Sequence, residues 1–174
     1  MRVCITPSRR QRWGAPAVIL VGLTLGGFAC ETGVRTPIGD IYWTQFQQQR
    51  QAAREEAVAR YNYCPEGGCV IRLESVEVQP ALPARGEPLQ VTIAYTLLTA
   101  QDTPIPVTIS RELALGGKSL GRVKDTITTQ GNGTWSQRVD FSLPAGAPPG
   151  LYTMVTRINS PYGSDSKSIQ FTVR

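Results

Sequence analysis

The sequence predicts an all-β protein: an antiparallel sandwich of about seven strands from Val70 to Arg174, preceded by a signal segment and one α-helix. Three observations carry this reading. Apolar residues alternate with polar ones at a period of two from Val70 onward, turn-forming clusters separate the alternating runs, and no helical pattern occurs among them.

Residues 1–29 read as an export signal. Arg2, Arg9, Arg10 and Arg12 form a basic start without an acid, and Ala15 to Ala29 is an apolar or small-residue run. That run falls short of the roughly 20 apolar residues a membrane-spanning helix needs. Residues 30–39 read as a flexible tether. Of the 18 Lys and Arg residues, the four named precede Cys30 while all 13 acids follow it, so the formal charge of +5 shrinks to +1 beyond the signal. The remaining bases are scattered among acids, which excludes a nucleic-acid binder with a basic stripe.

Residues 40–63 read as one helix, a stalk. Asp40 is a suitable N-cap, Gln, Ala, Arg and Glu favour helix, and no Gly or Pro intervenes before Pro65. Trp43, Phe46, Ala53 and Ala57 then fall along one thin face. Such a helix lies on the domain, on a partner or on the membrane surface, or is a solvated spacer; Trp43 and Phe46 are its candidate partner-binding residues.

Cys64 and Cys69 form an even pair in a chain bound for an oxidising compartment. Pro65, Gly67 and Gly68 between them suit a tight turn, so residues 64–69 are expected to be a disulfide-stapled turn. A redox role is disfavoured, because four residues intervene and a strand follows. Two thiolates are too few for a zinc site.

In the sandwich region, Leu89, Val91, Ile93, Tyr95 and Leu97 share one parity, as do Ile105, Val107 and Ile109, and Trp135, Val139, Phe141 and Leu143. Between Leu73 and Val76 the parity flips, which implies a bulge or a strand that switches sheets. Leu115 to Ser119, "LGGKS", reads as a hairpin turn, and "NGT" at Asn132 reads as a turn rather than a glycosylation acceptor.

The chain has no histidine, which removes the commonest general base and metal ligand. No phosphate-cradling loop, carboxylate pair or calcium loop is legible. The expectation is therefore a protein without catalytic residues, cofactor or metal.

Two resemblances add to this. Gly27, Phe28, Ala29 and Cys30 resemble the cleavage box of a bacterial lipoprotein signal, which implies that Cys30 is acylated and becomes the first residue of the mature protein. The alternative is an ordinary signal peptide or an uncleaved anchor. Val70 to Arg174 resembles the immunoglobulin-like and fibronectin type III-like domains of bacterial envelope proteins, chiefly in the "PGLYT" strand entry and the closing "IQFTV". That likeness implies a corner tyrosine at Tyr152.

Together these imply an exported lipoprotein of the bacterial outer membrane, cell surface or periplasm. It would bind another envelope protein, or build a larger assembly by self-association.

Overall fold

The computed structural model describes residues 32–44 and 46–174. The signal segment and Cys30 therefore lie outside the described residues.

The region from Val70 onward forms seven strands: β4 (Val70–Gln79), β5 (Pro88–Leu98), β6 (Ile105–Leu115), β7 (Lys118–Gln130), β8 (Gly133–Ser142), β9 (Gly150–Ser160) and β10 (Gly163–Val173). They pair antiparallel as β4-β5-β8 in one sheet and β10-β9-β6-β7 in the other. This is an immunoglobulin-like sandwich whose fourth strand, β7, has joined the second sheet instead of flanking β8. The apolar parity turns inward as expected: Leu89, Val91, Ile93 and Tyr95 on β5 face Val107, Ile109 and Leu113 on β6 across one core.

The vacated edge of β8 is filled by the segment that its composition marked as a helix. Residues 39–52 form β2 (Gly39–Trp43) and β3 (Gln47–Ala52), two consecutive pieces that pair antiparallel with β8, and β1 (Thr32–Thr36) pairs with β2. This corrects both the flexible tether at 30–39 and the helical stalk at 40–63. Among the described residues of 40–63 only α1 (Arg54–Tyr61) is helical, and it covers the outer face of β8 and β5 through the fully buried Ala57. Helix propensity favours the Gln- and Ala-rich run by a few tenths of a kcal/mol per residue. Burying Ile41 and Trp43, both 0% exposed and two residues apart on a strand, outweighs it, because each fully buried side chain contributes about 1.5–3 kcal/mol.

Trp43 was a candidate partner-binding residue, and the structure overturns that: its ring is stacked on Phe141 inside the core. Phe46, the other candidate, is partly buried and packs against the same core.

Cys64 and Cys69 are both exposed free thiols, which corrects the expected disulfide. The residues between them wind into a 3-10 turn, Pro65–Gly67, and the Cys64 thiol donates to the Glu66 carboxylate rather than meeting Cys69. That hydrogen bond holds the Glu66 carboxyl below its usual pKa.

The parity flip in β4 is a bulge at Glu74, so β4 stays in one sheet. The Leu73 N–H donates to Asp165 of β10 at 2.8 Å, and Lys167 donates to the Glu74 carbonyl at 2.7 Å. Two opposite charges on β10 thus satisfy the backbone groups that the bulge frees, and they close this side of the sandwich. Tyr152 adopts the corner geometry: it is fully buried, and its hydroxyl donates to the Pro148 carbonyl at 2.8 Å. Between β6 and β7, Gly116 and Gly117 take positive φ of 55° and 80°, as a two-residue hairpin turn requires.

Candidate interaction surface

The two long sides of the sandwich differ. On one, β4 and β10 are locked by the Asp165 and Lys167 contacts and by Thr172 and Arg174 N–H groups donating to Ala81 and Pro83. On the other, β3 pairs only with β8, and β7 only with β6, among the described residues. The two strands meet there through polar side chains: Thr128 donates to Gln48 at 3.4 Å, and Gln48 donates to the Tyr95 hydroxyl. Burial raises the Tyr95 pKa, opposed by the hydrogen bond from Gln48 and the charge of Arg111.

The outer edge of β7 is uneven along its 13 residues. Its first half carries the features that discourage another strand: bulges at Leu120 and Val123, with Lys118, Arg122 and Lys124. The second half, Thr126 to Gln130, has no bulge, no charge and no proline, and its β-branched residues suit an extended partner. Ile127 stands 75% exposed within it.

A second surface lies on the outer face of the β8 sheet, where Gln47, Gln49, Gln90, Thr92, Ser136 and Arg138 line a shallow groove of about 480 Å³. It is lined with amides and hydroxyls and holds no aromatic platform. Among the described residues no three His, Cys, Asp or Glu side chains gather to hold a metal ion, and no helix is long and apolar enough to cross a membrane.

The residues singled out in the sequence are thus dispersed. Trp43 belongs to the core, Phe46 to its margin, and Cys64 and Cys69 to an exposed turn at the end of α1. The open β7 edge escaped sequence reading because alternation identifies a strand but not its neighbours. Absence of charge from Thr126 to Gln130, following a stretch with four charges, was the available signal.

No protein-family model matches the chain, and no curated protein matches it. Solved structures resemble part of it. An alkylpurine DNA glycosylase from Pseudomonas fluorescens aligns with 12% identity and a TM-score of 0.44, covering 60% of this chain and 30% of that one. A β-glucosidase from Erythrobacter marinus aligns with 9% identity and a TM-score of 0.48, covering 61% of this chain and 16% of the other. A CARDB domain from Pyrococcus furiosus, solved in complex with di-metal ions, aligns with 13% identity and a TM-score of 0.41, covering 60% of this chain and 89% of that domain. The chain spans less than a third of the first two proteins. The class that the strand pairing defines is the antiparallel β-sandwich, and these likenesses are to architecture alone.

Proposed function

We propose that this chain is a non-catalytic protein-binding module of the bacterial cell envelope, tethered through a lipid on Cys30, and that it takes its partner by strand addition at the outer edge of β7. The single observation behind the binding site is the run Thr126 to Gln130: an uncharged, bulge-free edge, unpaired among the described residues and next to a protected stretch, with Ile127 exposed. Main-chain hydrogen bonds to an added strand would supply affinity there, and Ile127 would supply an apolar contact.

The tether follows from the lipoprotein-like box at Cys30. Because β1 begins at Thr32, a lipid on Cys30 would hold the sandwich within about 7 Å of the bilayer, at roughly 3.5 Å per extended residue. No stalk would separate them.

Photocrosslinking in intact cells tests the reading. A photoreactive residue at Ile127 or Thr129 is expected to yield one discrete adduct, lost when Thr126 is also replaced by Lys, while the same probe at Tyr162 yields none. An adduct of twice the chain's mass would assign the edge to a second copy, and the protein to a structural subunit built by β7-to-β7 pairing. Adducts from Tyr162 matching those from Ile127 would refute the site. Mass measurement of membrane-extracted protein, compared with Cys30→Ala, tests the lipid separately.

A further inference from the structure

At one end of the sandwich the strands are joined by loops rich in proline and alanine. β4 leads into 80–87, β8 into 143–149, β6 into the Gly116–Gly117 hairpin, and β1 into the turn at Pro37 and Ile38. These segments meet. A Cβ at Gly39 would stand 2.9 Å from the Pro144 ring, and one at Gly86 would stand 3.7 Å from Ala145. The Gly116 N–H donates to the Leu151 carbonyl at 3.0 Å, and Leu151 is in register with Thr172, whose N–H donates to the Ala81 carbonyl at 3.2 Å. Leu82 and Leu151, both on this connected end, are 52% and 46% exposed. Around them Pro80, Ala81, Ala145, Pro148 and Pro149 are exposed as well.

The backbone of this end is largely satisfied from within. The carbonyls of Ala81, Leu82, Pro83 and Ala84 accept, in that order, from the Thr172 N–H, Arg174 Nη2, the Arg174 N–H and the Glu87 N–H. The Ala84 N–H donates to the Glu87 carboxylate at 2.6 Å, and the Pro144 and Pro148 carbonyls accept from the Ala147 N–H and the Tyr152 hydroxyl. Prolines bring no N–H of their own. Such a surface can leave water without stranding polar groups, as entry into a lipid interface requires. It offers little to a partner that docks through backbone hydrogen bonds, in contrast to β7.

Charge selects the medium. Arg35, Arg85, Lys118 and Arg174 stand on or beside these loops against two acidic side chains, Asp40 and Glu87. Asp40 pairs with Arg35 at 3.7 Å and Glu87 is held by the Ala84 N–H, whereas Arg85 and Lys118 pair with no acid among the described residues. Burial raises the Tyr152 pKa and the charge of Arg85 opposes it, which places Arg85 near the corner tyrosine. We infer that this proline-rich end rests on an anionic lipid surface, with Leu82 and Leu151 entering the headgroup region and Arg85 and Lys118 meeting lipid phosphates. Thr126 to Gln130 pairs with the start of β6, so the partner edge of β7 lies toward the end far from the bilayer. The inference does not depend on acylation of Cys30.

The test is nuclear magnetic resonance of the full chain carrying Cys30→Ala, on nanodiscs of phosphatidylcholine and phosphatidylglycerol doped with a gadolinium-chelating lipid. Amides of Leu82, Arg85, Gly146 and Leu151 are expected to lose several-fold more intensity than those of Gly67 and Tyr162 at the other end. Attachment through residues 1–29 alone would instead broaden the amides around Thr32 most. Leu82→Asp combined with Leu151→Asp should remove the contrast, and nanodiscs of phosphatidylcholine alone should weaken it. Equal broadening at both ends, a maximum at Thr32, an unchanged pattern in the double variant, or no dependence on phosphatidylglycerol overturns the inference. Concentration-dependent shifts at Leu82 and Leu151 without lipid would also overturn it, and would make this end an interface between two copies.

Discussion

Trp43 lies against Phe141 with ring centroids 4.6 Å apart and planes 19° from parallel, joining a strand from the chain's first third to the centre of the sandwich. Phe141 in turn meets Phe171 edge-on at 6.4 Å, and Phe171 stacks on Tyr152 at 5.6 Å. Trp43→Ala is therefore expected to cost about 3–5 kcal/mol. Trp43→Phe should be better tolerated, since it keeps the stack and removes an indole N–H that has no partner. Chemical denaturation checks both; a change under 1 kcal/mol for the alanine variant would mean that β2 does not belong to the core.

The same relationship sets the boundary of the folding unit. A fragment of residues 70–174 would lose Ile41 and Trp43 from the core and expose the edge of β8 that β2 and β3 cover. It should melt lower than residues 32–174 and self-associate at concentrations where the longer fragment remains monomeric. Size-exclusion chromatography and thermal scans of the two fragments decide this.

Asn132 is expected to be structural. Its Oδ1 accepts from the Thr99 N–H at 3.0 Å and from the Thr99 hydroxyl, and its Nδ2 donates to the carbonyls of Thr99 and Gln101. At 2% exposure its amide is closed to glycosylation, whatever the "NGT" pattern suggests. Asn132→Ala leaves buried backbone groups unpaired and should cost at least about 1–3 kcal/mol, measured by urea unfolding.

Clamping of the β4 bulge gives a smaller effect. Asp165→Ala removes the acceptor of the Leu73 N–H, and a loss of about 1–2 kcal/mol is expected. Glu74 itself has a second duty, accepting from the Tyr61 and Thr96 hydroxyls on the outer face. Hydrogen exchange should show the Leu73 amide losing protection in Asp165→Ala while β9 amides keep theirs.

Alkaline stability should carry the mark of Tyr61. Burial first, and then its hydrogen bond to Glu74, raise its pKa from 10.0 to about 12. In that window the folded state holds a proton that the unfolded state has released, so this contribution is whole below pH 10 and lost as pH rises toward 12. Arg111, depressed to about 10, acts with the opposite sign above that pH, because there the unfolded state binds more protons. The comparison is therefore between wild type and Tyr61→Phe, whose decline between pH 10 and 12 should be shallower. Equal slopes would remove Tyr61 from the account.

Beyond the corner role of Tyr152, which the likeness to immunoglobulin-like domains implied, the sequence by itself determined the β-sandwich, the parity of its inward residues, the bulge zone in β4 and the Gly116–Gly117 hairpin. Each is local, written in a period of two or in residues whose backbone or hydroxyl chemistry suits one geometry. Tertiary structure alone decided residues 39–52: their Gln, Ala and Arg content favours a helix in isolation, yet β8 offers an unpaired edge and Phe141 an uncovered ring. Pairing with a strand some ninety residues away cannot be read from local propensity, and burial of Ile41 and Trp43 outweighs it. The open edge of β7 and the burial of Arg111 against Gln137 are likewise properties of neighbours. Arg111 shares the inward parity of Ile109 and Leu113 on β6, but only the folded chain shows that Gln137 of β8 receives it there.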